Sequence, residues 1–246
     1  MKIVINQNYT HLKSFIENVP TIFSVEGETI YKARNELKSF SVQGLDIVVK
    51  RYKIPFLINR IAYTFFRPSK AKRAFEYALK LLQLGVESPA PIAYIEQFKD
   101  GLLTYGYFIS IYEKEYSVIR ELMAGTRKEE TLLKELAVYI SDLHHKGVLH
   151  LDMSPGNILY KKVGNQFQFT LIDINRMQFL SSISSEKRYK SFKRLSENET
   201  VLTAIASHYA VASNLNEAES IDKINRYSSE FFSSRKRAKT RKNKES

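Results

Sequence analysis

The sequence of 246 residues predicts an α+β fold, with an antiparallel sheet plus helix in its N-terminal half and a short, mostly helical C-terminal half. Three observations carry this expectation. Residues 29–53 alternate apolar and polar side chains between turn signals, as strands do. Residues 70–84 and 130–145 repeat apolar side chains at helical spacing. After the second of these, apolar residues flank three polar ones at fixed offsets: Asp152, Asn157 and, at the end of an apolar strand, Asp173.

In chain order, the strands come first. Thr29-Ile30-Tyr31-Lys32-Ala33 leads into a polar turn, Arg34-Asn35-Glu36. Leu37 to Val42 alternates, Gln43-Gly44 turns, and Leu45 to Lys50 completes a three-stranded meander. Lys50 by itself reads as a solvated lysine at a strand end, the default for a lone lysine, and gains significance only from a partner further along. Residues 54–66 (Ile-Pro-Phe-Leu-Ile-Asn-Arg-Ile-Ala-Tyr-Thr-Phe-Phe) are rich in large apolar side chains and flanked by basic ones. They read either as a helix packed beneath the sheet or as a surface that contacts lipid. Ala71, Ala74, Phe75, Ala78, Leu79 and Leu82 then mark one helical face, closed by Gly85. Glu76 lies beside that buried stripe, where it could reach inward or face solvent. Residues 88–94 and 106–112 fit two more strands.

In the second half, Leu132, Leu133, Leu136, Ala137, Ile140 and Leu143 define a helix that Lys146-Gly147 ends. His144 and His145 are adjacent at the helix end and point in different directions, so they read as structural. Pro155-Gly156 supplies a turn that lets Asp152 and Asn157 face one side. This residue set suits phosphoryl transfer: one carboxylate orients and deprotonates an acceptor hydroxyl, while an amide and a second carboxylate hold Mg²⁺ against phosphates. The plainer reading is a hairpin in which Asp and Asn satisfy turn backbone. After Asp173 come Ser/Lys/Arg-rich sequence, a helix near 199–212, a polar segment at 214–222, a final helix and a basic tail.

Composition narrows the function classes. The absence of cysteine rules out disulfides, a thiol nucleophile and Cys-based zinc sites. No uncharged apolar run is long enough for a transmembrane helix, and residues 1–7 lack the apolar core of a signal peptide. The formal net charge of +12 points to an anionic partner, and seven Lys/Arg between 235 and 244, with no acid among them, hold much of the excess.

Asp152 and Asn157 stand in the order His150-x-Asp152-x-x-x-x-Asn157, with Asp173 following. This pattern resembles the catalytic loop and metal-binding Asp of the protein-kinase-like fold. The resemblance implies a compact bilobal domain over residues 1–234, with an N-lobe over about 1–113, a C-lobe over about 114–234, a hinge near 112–115 and a basic tail at 235–246. It implies that Lys50, paired with Glu76, neutralises ATP phosphates. It also makes Asp152 the base, gives Mg²⁺ to Asn157 and Asp173, and casts His150 as a brace. Within this superfamily, Phe75-Glu76-Tyr77-Ala78, Leu84-Gly85-Val86-Glu87-Ser88-Pro89-Ala90-Pro91, Asp152-Met153-Ser154-Pro155-Gly156-Asn157 and Asp173-Ile174-Asn175-Arg176-Met177 are similar to the lipopolysaccharide kinase family. Such enzymes phosphorylate inner-core sugars such as Kdo (3-deoxy-D-manno-octulosonic acid) or heptose.

Three departures qualify the pattern. Leu151 replaces the Arg that receives an activation-loop phosphate, and Ser154 replaces a phosphate-contacting Lys. No Gly-rich turn precedes Lys50, which leaves Arg34, Asn35 and Lys38 as candidate phosphate donors. The expected protein is a cytoplasmic ATP- and Mg²⁺-dependent kinase acting on a lipopolysaccharide precursor, most favourably on Kdo. It is expected to meet the anionic inner-membrane surface through the basic tail, with nucleic acid the less favoured partner. The alternatives are a kinase for protein or another small molecule, and a pseudokinase binding module.

Overall fold

The structure, a computed structural model, describes residues 1–33, 35–53 and 56–244. The chain divides into two compact units, Met1–Lys114 and Glu115–Ser246.

The first unit is built on a sheet of β1 (Lys2–Ile5), β2 (Glu28–Lys32), β3 (Glu36–Val42), β4 (Leu45–Tyr52), β5 (Pro91–Lys99) and β6 (Leu102–Ile111). Among the described residues the strand order is β1-β5-β6-β4-β3-β2, antiparallel throughout. Two hairpin turns set its register. Gln43-Gly44 and Asp100-Gly101 each place two consecutive residues at positive φ (51° and 79°; 54° and 73°), the backbone that matches the twist of flanking strands. The second pair extends β5 and β6 well beyond the limits expected from apolar content alone.

Each sheet face has its own helix. Leu12, Ile16, Val19 and Phe23, on and around α1 (Lys13–Ile22), are fully buried against Phe40, Ile47, Val49, Ile95 and Ile109. On the other face α3 (Lys70–Gln83) buries Ala71 and Phe75 against Tyr52 and Tyr94. Ser69 caps α3 by accepting the Lys72 N–H at 3.1 Å. Both β1 and α1 lie outside the elements that the sequence pattern predicts.

Between β4 and α3 the chain forms α2 (Leu57–Ile61), which runs into a π-helical turn at Ala62–Phe66. Of the segment expected to pack beneath the sheet or to contact lipid, Ile54 and Pro55 lie outside the described residues, and residues 56–66 are not buried beneath the sheet. Phe56, Leu57, Ile58, Phe65 and Phe66 are exposed.

The second unit carries β7 (Ser117–Val118), α4 (Arg120–Ala124), α5 (Glu130–His145), β8 (Val148–His150), β9 (Ile158–Val163), β10 (Gln166–Leu171), β11 (Met177–Phe179), α6 (Ser185–Ser191), α7 (Glu199–Ser213) and α8 (Glu217–Lys244). Its core is the packing of α5 on α7. His144 is buried at their contact, its Nδ1 2.7 Å from the Tyr209 hydroxyl and its Nε2 3.3 Å from that of Ser191. Gly147 ends α5 at φ 73°, with a backbone approach so close that a Cβ there would overlap the Leu180 carbonyl. Asn198 caps α7 at its start, and Asn214, at φ 52°, closes its end.

The last helix begins at Glu217, inside the stretch expected to be non-helical, and continues through the basic residues. Its first half is docked: Ile224 and Ser220 are fully buried, and the Ser228 hydroxyl donates to the Ser196 carbonyl at 2.6 Å. Residues 233–241 are exposed, although Lys236 reaches Glu197. No helix among the described residues is long and apolar enough to cross a membrane.

Candidate active site

Two short antiparallel pairings assemble the polar set of the second unit. β8 pairs with β11, His150 opposite Met177, and the Leu151 N–H donates to the Arg176 carbonyl at 2.9 Å. β9 pairs with β10, Ile158 opposite Leu171, and the Ile172 N–H donates to the Asn157 carbonyl at 3.0 Å. Residues 151–157 and 172–176 are thereby pinned to each other at both ends by backbone hydrogen bonds. Inside the first loop the Asn157 N–H donates to the Ser154 carbonyl at 2.9 Å, closing the Pro155-Gly156 turn. Gly156 lets the Arg120 guanidinium lie against the turn; a Cβ there would come within 2.7 Å of it and displace that flexible side chain.

His150 braces this arrangement. Its ring is 2% exposed, Nε2 lies 3.3 Å from the Ile172 carbonyl, and Nδ1 accepts the Asp152 N–H at 3.1 Å. A carbonyl on one side and an amide on the other fix the tautomer: the proton sits on Nε2 and the lone pair on Nδ1. Burial pushes the imidazole pKa down, more strongly than the Ile172 carbonyl and the Asp152 and Asp173 carboxylates raise it. The neutral ring therefore holds the backbone at both Asp152 and Ile172.

Asn157 is oriented in the same way. Its Nδ2 donates to the Asp152 carbonyl at 2.8 Å, which leaves Oδ1 as the atom available to a ligand. Asp173 stands at φ 54°, a left-handed backbone uncommon outside glycine, and its Oδ1 accepts from Asn175 Nδ2 at 2.6 Å. Asn175 and Ile174 are both buried, so the pair that follows Asp173 is a fixed support for its carboxylate.

The Asp152 carboxylate faces two arginines that the sequence reading did not assign to the site. Arg194 donates to Oδ1, and Arg176 Nη1 lies 3.5 Å from Oδ2. Arg194 follows α6 in a short 3-10 turn, Phe192–Arg194, whose Phe192 is fully buried against His144 and Tyr209. No motif marks Arg194; it is one of many basic residues in a basic segment. Arg176 lies directly after Asp173-Ile174-Asn175, and that adjacency was the one available signal.

Hard oxygen ligands suit Mg²⁺, and Asn157 and Asp173 offer an amide oxygen and a carboxylate from adjacent backbone positions. Among the described residues no group of three or more His, Cys, Asp or Glu side chains could hold a metal ion. A divalent ion held by Asn157 and Asp173 needs phosphate or water oxygens to complete its shell, as Mg²⁺ ordinarily does.

The first unit carries the remaining candidates. Strand alternation puts Lys50 on the α3 side of the sheet, with Nζ 5.3 Å from the centre of the Tyr52 ring. Glu76 is exposed on α3 and pairs with Lys72 one turn earlier at 3.6 Å. Asn35 accepts the Lys53 N–H at 3.4 Å across the mouth of the β3–β4 hairpin. Arg34 lies outside the described residues. Lys38, expected as a phosphate donor, is buried on the α1 side, where its ammonium donates to the Glu26 carbonyl at 2.8 Å.

A sheet-and-helix first unit with a lysine on β4, and a second unit with an Asp–Asn–Asp loop set braced by a buried histidine, define a kinase-like phosphotransferase. Comparison with known proteins narrows this. Residues 28–209 match the family described as "Lipopolysaccharide kinase (Kdo/WaaP) family". A solved structure described as "WaaP in complex with acyl carrier protein" is similar over 94% of this chain and 100% of that one, with a TM-score of 0.63 and 16% identity. The EKC/KEOPS complex subunit BUD32 of Encephalitozoon cuniculi (strain GB-M1) is 24% identical over 160 residues, 65% of this chain and 67% of that protein. The chain belongs to the lipopolysaccharide kinase (Kdo/WaaP) family and is a phosphotransferase with an alcohol group as acceptor.

Proposed function

We propose that the protein transfers the γ-phosphoryl group of ATP to a hydroxyl of an inner-core lipopolysaccharide sugar, and that the sugar is Kdo. The observation that carries this reading is Asp152, whose backbone N–H and carbonyl are held by His150 and Asn157 and whose carboxylate is faced by Arg176 and Arg194. Asp152 orients the acceptor hydroxyl and accepts its proton. The two guanidinium groups supply positive charge beside the reacting hydroxyl, which suits an acceptor with an acidic group of its own. Kdo has a carboxylate and heptose does not.

Asn157, through Oδ1, and Asp173 are the residues that hold Mg²⁺, which when bound neutralises phosphate charge. Lys50 neutralises the nucleotide phosphates, held by Glu76 once that carboxylate exchanges Lys72 for it, and Arg34 and Asn35 supply donors at the turn where a Gly-rich loop is missing. Residues 1–234 act as one catalytic domain, with lobes over about 1–113 and 114–234. The basic segment 235–246 draws the enzyme to the cytoplasmic face of the inner membrane. Each basic residue near an anionic leaflet contributes about 1 kcal/mol before the cost of ordering is deducted.

The test is acceptor discrimination. A Kdo-bearing lipid A precursor should gain one phosphate with Mg²⁺ and ATP, and the same precursor esterified at the Kdo carboxylate should react far more slowly. Equal rates on both would remove the arginines from acceptor recognition and leave Kdo without support over heptose.

A further inference from the structure

In residues 56–66 the usual arrangement of a surface helix is reversed. Arg60 and Thr64 turn toward the protein. Arg60 Nε donates to the Leu103 carbonyl at 2.9 Å, and Arg60 Nη2 donates to that of Lys99 at 3.4 Å. Thr64 donates to the Arg60 carbonyl at 2.7 Å and accepts the Leu103 N–H at 3.0 Å. Hydrogen bonds to the β5–β6 hairpin therefore moor the segment. Its apolar side chains turn outward: Phe56, Ile58 and Phe66 are 83%, 82% and 80% exposed, and Phe65 is 67% exposed. Apolar side chains gathered on one surface element mark an interaction surface, whereas single exposed ones do not.

Charge selects the occupant. From 47 to 75 the sequence contains no Asp or Glu, while Lys53, Arg60, Arg67, Lys70, Lys72 and Arg73 lie within or beside the apolar segment. Lys53 and Arg67 are exposed at its two ends. An apolar face edged by cations has the chemistry of a helix lying at the headgroup–acyl boundary of an anionic leaflet. A second copy of this chain fits less well, because it brings the same cations, and a net charge of +12, against their like.

We propose that residues 56–66 form a membrane-insertion element, sinking Phe56, Ile58, Phe65 and Phe66 into the acyl boundary of an anionic bilayer while Lys53 and Arg67 stay with the lipid phosphates. The element belongs to the first unit, differs from the basic end of α8, and acts whichever acceptor the enzyme takes. Electrostatic attraction alone gives a loose, salt-sensitive encounter; apolar insertion adds a component that persists in salt.

The chain has no tryptophan, so Phe66→Trp is a single-site reporter at an exposed position. Vesicles of phosphatidylcholine with a quarter phosphatidylglycerol should shift its emission to the blue, and acyl-brominated lipid should quench it. The double variant Phe65→Ser/Phe66→Ser should bind these vesicles at least about tenfold more weakly, with thermal melting and nucleotide binding unchanged. Two results overturn the proposal. One is unshifted emission from Phe66→Trp on vesicles that sediment the protein. The other is a shift that depends on protein concentration without lipid, which makes the face an interface between copies. Neither readout involves catalysis, so failure here is distinct from failure of the acceptor assignment.

Discussion

Replacing His144 with glutamine should flatten the pH dependence of stability on the acid side. His144 is 1% exposed, bonded to Tyr209 and Ser191, and burial first, then the charges of Arg188 and His145, lower its pKa from 6.5 to about 3. A folded-state pKa below the unfolded value means that the unfolded chain binds the proton first. The neutral ring therefore costs nothing above about pH 6.5, and stability is lost as pH falls from there toward about 3. Each pH unit in that window removes about 1.4 kcal/mol, so between pH 7 and pH 5 this one residue accounts for about 2 kcal/mol. His150, also buried and shifted down, adds a loss of the same sign. Urea unfolding between pH 5 and pH 7.5 measures the slope. The His144→Gln variant should be less stable at pH 7 by about 1–3 kcal/mol, because Tyr209 and Ser191 lose part of their hydrogen bonding. It should nonetheless lose stability more slowly on acidification, with its curve converging on that of the wild type. Carboxylate contributions are common to both proteins and cancel. Parallel curves for the two proteins would mean that His144 titrates alike folded and unfolded, and would exclude the buried neutral imidazole as the source of the slope.

Three further outcomes are expected. Asp173→Asn should weaken Mg²⁺-dependent nucleotide binding itself, because one charge opposite the divalent ion is lost; calorimetry with and without Mg²⁺ checks this. Arg194→Gln should raise KM for an acidic acceptor by about tenfold or more, with little change in nucleotide affinity, since a charged hydrogen bond is worth about 1.5–3 kcal/mol. Ending the chain at Ser234 should reduce sedimentation with anionic vesicles at low salt while sparing transfer to a detergent-soluble acceptor, because seven cations are removed.

The elements most readable in the sequence are those whose pattern is both regular and complete. The α5 helix has its apolar face and its Gly147 stop in sequence, and α3 has its stripe and Gly85. The β3–β4 hairpin has its alternation and Gln43-Gly44. The unpredicted elements are those stabilised chiefly by partners far along the chain. β1 is an edge strand of four residues whose place depends on pairing with β5. The α1 helix, with Pro20 inside it, is held by burial against strands all but one of which follow it in sequence.

The same distinction divides the candidate site. Asp152, Asn157 and Asp173 lie close in sequence, and two local hairpin pairings bring them together, so their spacing was informative. Arg194 reaches Asp152 across 42 residues through the packing of Phe192, and nothing local marks it. Lys38 misled because strand alternation, counted from Lys50 through the Leu37–Lys50 register, sends it to the opposite face. Residues 56–66 defied burial because Arg60 and Thr64 found partners at the end of β5 and the start of β6.

On the proposed reading, Asp152 is the base of a phosphoryl transfer for which Asn157 and Asp173 hold the metal. Single-turnover transfer from ATP to a Kdo-bearing precursor by the wild type and by Asp152→Asn, with Mg²⁺-ATP affinity measured on both, tests it most directly. The expected result is nucleotide affinity within about threefold of the wild type and a transfer rate lower by about 10²–10⁴, because an amide cannot accept the hydroxyl proton. Transfer by Asp152→Asn at a rate near that of the wild type would contradict the account.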